Sequence, residues 1–364
     1  TTPEAAASGE KIGIILVGDE NEGYTYAHML GIKNAAAKLG IAESDIIWKY
    51  SVGEDQKCYD AAVDLVENGA TLVISNSYGH QSYMMQAAQE YPDVTFVADT
   101  GDNAWTTGLD NFKNAFTSVY ESRYVSGVVA GMKIAELAEK GELVDANFDA
   151  NGNVKVGYVG AYPYAEVVSG YTAFYLGIKS VYEKVTMYVE YTNSWFDLTG
   201  EATVGDDLMS QGCVIIGQHA DSTGAPSEVQ AAWESGKAVY SVGYNIDMLS
   251  VAPDAALTSA QNNWSVLYKA TLEKYMNGEE VPITIDFGLI EQETMHIGVT
   301  NFGDSYTDST DYGFEFTLAL AALSNARTNQ EAVAPADFYK CISNVQFLLG
   351  ECFNEDGTTE PLNC

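Results

Sequence analysis

The stretch Gly23-Tyr24-Thr25-Tyr26-Ala27-His28-Met29-Leu30-Gly31-Ile32-Lys33 returns, one residue shorter, as Gly170-Tyr171-Thr172-Ala173-Phe174-Tyr175-Leu176-Gly177-Ile178-Lys179. Each copy follows an apolar, strand-like run, residues 11–18 (KIGIILVG) before the first and 155–160 (KVGYVG) before the second. The repeated unit is a strand, a polar or aromatic loop and a helix. Two copies so far apart predict two similar α/β lobes. In a parallel sheet, ligands collect outside the carboxyl ends of the strands, where each loop enters its helix. Two lobes whose loops face one another would line one cleft, a geometry suited to closing on something small.

A chain of 364 residues, 46% of them hydrophobic, is long enough for two domains with separate cores. Its 17 Lys and Arg against 51 Asp and Glu give a net charge of -34, which repels phosphate backbones and anionic lipid surfaces, so nucleic acid is excluded as a partner. No apolar run approaches the roughly 18 to 20 residues of a membrane-spanning helix. Residues 1–10 (TTPEAAASGE) read as a tether or the remnant of signal-peptide removal. Cys58 and Cys213 sit in apolar periodic segments and are expected as buried free thiols. Cys341, Cys352 and Cys364 cluster near the end, where a disulfide between two of them would pin the tail; the sequence does not choose the pair. No CxxC or Cys/His spacing points to zinc, and no metal or cofactor is expected.

Strand and helix signals alternate with short connections. In the first half, strands are expected at 11–18, 45–50, 71–75 and 95–98, with helices near 24–39, 55–67 and 80–90. The amphipathic run 122–138 reads as a helix and 141–153 as a polar connector. The second half repeats the plan, with strands at 154–160, 186–191, 213–217, 238–243 and 256–259 and helices at 166–183, 198–210, 225–235 and 262–275. Residues 283–299 read as extended and 312–324 as a last helix. The second half holds more than one lobe needs. A return to the first lobe near 245 and a second crossing near 285 would absorb the excess. The expected division is a tether at 1–10, a first lobe of 11–121 with 246–284, a second lobe of 122–245 with 285–330, and an extension at 331–364.

Several segments together resemble the basic membrane protein family of substrate-binding lipoproteins for ABC transporters over about residues 10 to 300. They are 114–131 (NAFTSVYESRYVSGVVAG), the strand 155–160 with Gly177-Ile178-Lys179, Asn193-Ser194-Trp195-Phe196-Asp197, 217–225 (GQHADSTGA) and Ser241-Val242-Gly243-Tyr244-Asn245-Ile246-Asp247. The resemblance implies the type I periplasmic-binding-protein fold, an α/β architecture of two doubly wound lobes joined by a multi-crossing hinge. It implies a monomer outside the cytoplasm, lipid-anchored to the outer face of the cell membrane, with a membrane permease as partner. It also implies an aromatic heterocycle as ligand, a purine nucleoside as in the nucleoside receptors or a flavin as in a related branch. Two positions depart from those receptors. Asn245 stands where the first aspartate of an Asp-x-Asp pair is expected, and Asn262 replaces a lysine. Those charges hold ribose there, and charge-assisted hydrogen bonds are stronger than neutral ones. Their joint loss points to a retuned polar site and raises the case for a free purine base.

Loop tips following strands supply the candidate ligand-binding residues. The first lobe offers Asp19, Asn21 and Tyr24, then Asn76, then Asp99 and Trp105. The second offers Tyr162, Trp195, Gly217, His219, Tyr244, Asn245 and Asp247, and Asn262 and Trp264 follow. Rings stack on planar ligands while amides and carboxylates read ring edges. The triplet Asn263-Trp264-Ser265 and the incomplete calcium-loop pattern at 147–152 carry no function. Enzyme signatures (GxGxxG, GxxxxGK[ST], GxSxG, HExxH) are absent, so capture without catalysis is expected. The ligand-sensing part of a transcription regulator is the alternative, which would require a basic DNA-binding module ahead of the first strand.

Overall fold

The computed structural model describes residues 11–117 and 119–287 and the short pairs 352–353 and 359–360. In chain order its elements are β1 Lys11–Ile15, α1 Gly23–Leu39, β2 Ile46–Lys49, α2 Gln56–Glu67, β3 Ala70–Ser75, α3 Gln81–Glu90, β4 Thr95–Asp99, α4 Ala104–Thr107 and β5 Phe112–Thr117. There follow α5 Val119–Lys140, β6 Val154–Gly160, α6 Ala165–Val181, β7 Val185–Tyr191, α7 Leu198–Ser210, β8 Ile215–Gln218, α8 Gly224–Glu234, β9 Tyr240–Tyr244, β10 Ala256–Ala260, α9 Trp264–Met276 and β11 Thr284–Phe287. Cys352–Phe353 and Thr359–Glu360 form an antiparallel pair. The expected tether, the last helix near 312–324 and residues 288–299 lie outside the described residues, as do nearly all of 285–330 and 331–364. None of the described helices is long and apolar enough to cross a membrane.

The chain divides into two units, the first made of described residues 11–117 and 262–287 and the second of 119–261. The first unit's sheet runs β11-β5-β4-β3-β1-β2, all parallel. Period-2 alternation sorts its side chains. Ile12, Ile14, Leu72, Ile74 and Val97 pack under Ile32 and Ala35 of α1 and Leu267 and Leu272 of α9. Ile15, Val73, Phe96 and Ala98 take the other face with Cys58, Leu65 and Met84 of α2 and α3. The second unit's sheet runs β10-β9-β8-β6-β7, also parallel, with α5 and α6 covering Val156, Tyr158 and Val242, and α7 and α8 covering Val159 and Ile216. Counted from the first strand of each unit, both sheets wind in the order 2-1-3-4-5, the doubly wound pattern expected from the repeat.

The assignment of 246–261 to the first lobe requires correction. β10 hydrogen-bonds to β9 and completes the second sheet, so the chain leaves that unit after Gln261 and not near 245. Likewise α5 begins at Val119, which moves 119–121 into the second unit. Strand periodicity shows that β10 exists, and nothing local shows which edge it joins.

The repeated glycines have one job in both units. A Cβ on Gly31 of α1 would lie 2.6 Å from the Cβ of Trp264 on α9. A Cβ on Gly177 of α6 would lie 2.1 Å from the carbonyl oxygen of Tyr124 on α5, and one on Gly127 of α5 would lie 2.1 Å from that of Phe174. Each lobe thus seats a helix pair at backbone contact, a spacing that only a missing side chain permits. Replacing Gly177 by Ala is expected to lower the unfolding free energy by about 1 to 3 kcal/mol, the usual cost of overpacking, measured by urea denaturation against wild type.

Candidate functional site

At the carboxyl ends of the first sheet, a buried polar network lies among aromatic rings. Asp99 ends β4 with 0% exposure, and its Oδ2 accepts the Tyr268 hydroxyl at 2.5 Å. With that proton given to Asp99, the Tyr268 oxygen accepts from His28 Nδ1, also at 2.5 Å. Asp99 Oδ1 and His28 Nε2 are left without partners among the described residues. Burial pushes the Asp99 carboxyl well above the carboxylate range, an effect the Tyr268 hydrogen bond offsets only in part. Burial likewise pulls the His28 imidazole well below its ordinary value, so it is neutral. His28 stacks on Trp264 at 3.9 Å, and the Tyr24 ring stands edge-on to His28 at 4.4 Å.

Several first-unit candidates hold loops in place. Asn76 is buried, with Oδ1 accepting from Val17 N at 2.8 Å and its carbonyl accepting the Tyr24 hydroxyl, so it brackets the loops after β1 and β3. The Asp19 carboxylate accepts from the backbone and side-chain amides of Asn21, both at 2.9 Å, and these bonds lower its pKa. Trp264, 2% exposed, belongs to the core. Trp105 is 73% exposed on the short α4, anchored by Nε1 donating to Asp102 O at 3.0 Å. Asn262 accepts from the Thr117 hydroxyl at 2.6 Å through Oδ1 and leaves its buried Nδ2 unpartnered.

In the second unit, three rings gather where β6 and β7 end. Tyr162 and Tyr164 are stacked at 5.0 Å, and Trp195 lies 5.1 Å from the first and 5.9 Å from the second. Tyr164 and the neighbouring Phe196 are exposed. After β9, Asn245 takes a left-handed backbone with φ of 64°, which asparagine tolerates better than most residues. That turn aims its amide at Asp221, whose Oδ1 accepts from Asn245 Nδ2, and leaves the buried Asn245 Oδ1 without a partner. Aspartate at 245 would face the Asp221 carboxylate directly, so asparagine at 245 follows from aspartate at 221. Gly217 lies within β8, where a Cβ would meet the Tyr158 ring at 2.7 Å; its role is packing. Asp247 is an exposed cap, accepting from Leu249 N at 2.9 Å at the start of a single 3-10 turn. His219 is buried with Nε2 2.8 Å from Glu166, and Tyr244 is buried beside it.

The loop 218–224 that presents His219 and Asp221 is held from within. Gln218 Nε2 donates to the carbonyls of Ala220 and Ser222 at 2.8 and 3.0 Å. Glu201, fully buried in the first turn of α7, accepts from Ser222 N at 3.1 Å and from Asp197 N at 3.2 Å. His28, Asp221, Glu201 and Arg123 escaped the loop-tip rule. Three sit on helices, and the fourth, Asp221, follows His219 by two residues within the segment 217–225.

This arrangement suits binding. The described thiols, Cys58 and Cys213, are buried with pKa values pushed to about 12, chiefly by burial. Among the described residues no group of three or more His, Cys, Asp and Glu side chains is placed to hold a metal. A family model described as "ABC transporter substrate-binding protein PnrA-like" matches residues 10–302. The chain belongs to that family. Its members bind small molecules outside the cytoplasm for delivery to an ABC permease and are not enzymes, in agreement with the expected fold and mode of action. A purine-binding protein of Brucella abortus is 30% identical over 295 residues, covering 81% of this chain and 77% of its own. A putative glucose-binding protein of an ABC transporter from Haloferax volcanii is 26% identical, covering 70% and 58%. Among solved structures, an ABC transporter solute-binding protein of Aeropyrum pernix superposes with a TM-score of 0.65 at 15% identity, over 93% of this chain and 90% of its own. The Bacillus halodurans transcriptional activator of the comK gene gives 0.62 at 19%, over 86% and 96%. At such identities these likenesses show the fold alone.

Glu201 makes the site sensitive to pH. Burial lifts its carboxyl to about 7, above the hydrogen bonds that pull it down. A raised acid pKa means the folded state holds the proton more tightly than the unfolded chain, so this contribution is complete below the unfolded value near 4.5 and is lost as pH rises through 7. The unfolding free energy of wild type relative to Glu201→Gln is expected to fall by up to about 3 kcal/mol between pH 4.5 and pH 8, measured by urea denaturation across that range.

Proposed function

We propose that this chain captures a flat aromatic heterocycle, a purine base or nucleoside, on the loops at the carboxyl ends of its sheets and delivers it to a permease from a lipid-anchored position outside the membrane. The observation that carries this reading is the Tyr162, Tyr164 and Trp195 cluster, joined through Asp221, whose N donates to Trp195 O at 2.7 Å, to Asn245 and its amide oxygen, a buried acceptor unpartnered among the described residues. Stacking tolerates any flat ring, and a buried acceptor without a partner costs free energy until a donor such as a ring N–H or exocyclic amine meets it. Asp99 and Asn262 Nδ2 offer the same kind of unmet hydrogen bond on the first unit. The Brucella relative, a purine-binding protein, supports the class. Neutral Asn245 and Asn262, in place of the charges that hold ribose in the nucleoside receptors, favour the free base.

Titration calorimetry with hypoxanthine, adenine, guanosine, inosine, riboflavin and glucose tests the reading. Binding of a purine in the micromolar range or tighter is expected, and Trp195→Ala should weaken it by about 1 to 3 kcal/mol, the worth of one base–aromatic stack. Binding of glucose with silence from every purine would overturn it.

A further inference from the structure

The chain contains only two arginines, Arg123 and Arg327, against 51 acidic residues. Arg123, on the second turn of α5, is 1% exposed and, among the described residues, has no carboxylate within ion-pair distance. Its Nη1 donates to Gln218 O at 2.6 Å, at the carboxyl end of β8, and its Cζ sits over the Tyr244 ring, 3.9 Å from the centroid, at the end of β9. Those two contacts hold the group in place from two sides and use one of its five N–H bonds. Nε and Nη2, the adjacent pair that forms the two-pronged edge, have no partner among the described residues. Glu166, an acid of the same neighbourhood, is engaged with His219 Nε2 at 2.8 Å. Burial holds His219 neutral, helped by the nearby Arg123 charge, while Gly170 leaves room for it, a Cβ there lying 3.0 Å from His219 Nδ1 and 3.6 Å from Arg123 Cγ.

A buried guanidinium without a counter-ion is costly, and the molecule surrounds this one with structure that keeps it in position. An oriented, desolvated fork of two parallel donors is complementary to two adjacent acceptors in one plane. We infer that the Nε and Nη2 edge of Arg123 recognises the C6 carbonyl and N7 of an oxopurine, which makes Arg123 a specificity-determining residue of the capture site; this inference rests on the purine reading above. An oxopurine presents two acceptors side by side on that edge, whereas adenine places an amino donor next to N7. Adenine would point N–H at N–H. Hypoxanthine, guanine and their nucleosides are therefore the substrate class, and adenine is discriminated against.

The experiment combines calorimetry with side-chain NMR. Wild type should bind hypoxanthine about tenfold to a hundredfold more tightly than adenine. Arg123→Lys, which keeps the charge and loses the fork, should weaken hypoxanthine at least about tenfold and abolish the preference. In protein labelled with 15N-arginine, two Nε–H signals are expected, and the one missing from Arg123→Lys should move when hypoxanthine is added and stay when sodium chloride or acetate is added alone. If that variant does not fold, wild-type selectivity and the signal of Arg123, then assigned as the one that slows in exchange with solvent, decide the matter. Equal affinity for adenine, a preference that survives Arg123→Lys, or a signal that answers to small anions and not to the base would each overturn the inference while leaving purine capture standing. Silence from every purine would overturn both.

Discussion

Backbone contact between paired helices is the constraint on which each unit depends. In the second unit, Gly127 of α5 and Gly177 of α6 let each helix meet a carbonyl of the other. Two turns earlier on the same face of α6, Gly170 leaves space for His219 and for the stem of Arg123. The close crossing that packs the core therefore also brings the guanidinium over Tyr244 and sets Glu166 against His219. In the first unit Gly31 admits Trp264 in the same way, and Trp264 in turn stacks on His28, the far end of the hydrogen-bonded line from Asp99. Structural glycines and polar residues of the site belong to one packing arrangement.

The electrostatics follow from burial more than from the high net charge. Asp99, His28 and His219 all have their charged forms disfavoured by desolvation, so the described interior of an acidic protein holds largely neutral donors and acceptors, with the charge left outside. Arg123, Lys133 and Asp221 are charged side chains buried in the second unit all the same. The Asn245 and Asp221 pair ties two loops of the second unit together, the amide donating to the carboxylate.

Much of the fold was legible because its signals are local. Alternating strand and helix periods, glycine stops and the repeated segment place β1 to β4 and α5 to α9 within a few residues of where they lie. The sheet that receives β10 was not legible, since an edge strand's choice is made by tertiary packing. At the candidate site, the loop-tip rule selects residues by position alone and does not foresee how many of them are engaged by the protein itself. Trp264, Gly217, Asn76 and Asp247 occupy such tips or strand ends and spend their contacts on the protein itself. His28 and Arg123 were hidden because a titratable residue on a helix shows its importance only when a second helix, close enough to bury it, denies it water and a partner.

The two cysteines described within the sheets' cores carry a separate consequence. Cys58 is on the buried face of α2 in the first unit, and Cys213 packs with α7 and α8 in the second, each fully or nearly buried in an apolar cluster. A thiol so enclosed is invisible to alkylating reagents until its own layer comes apart. Nature has thus placed one chemical clock in each half, and the order in which the two are alkylated under mild denaturant reports which half opens first.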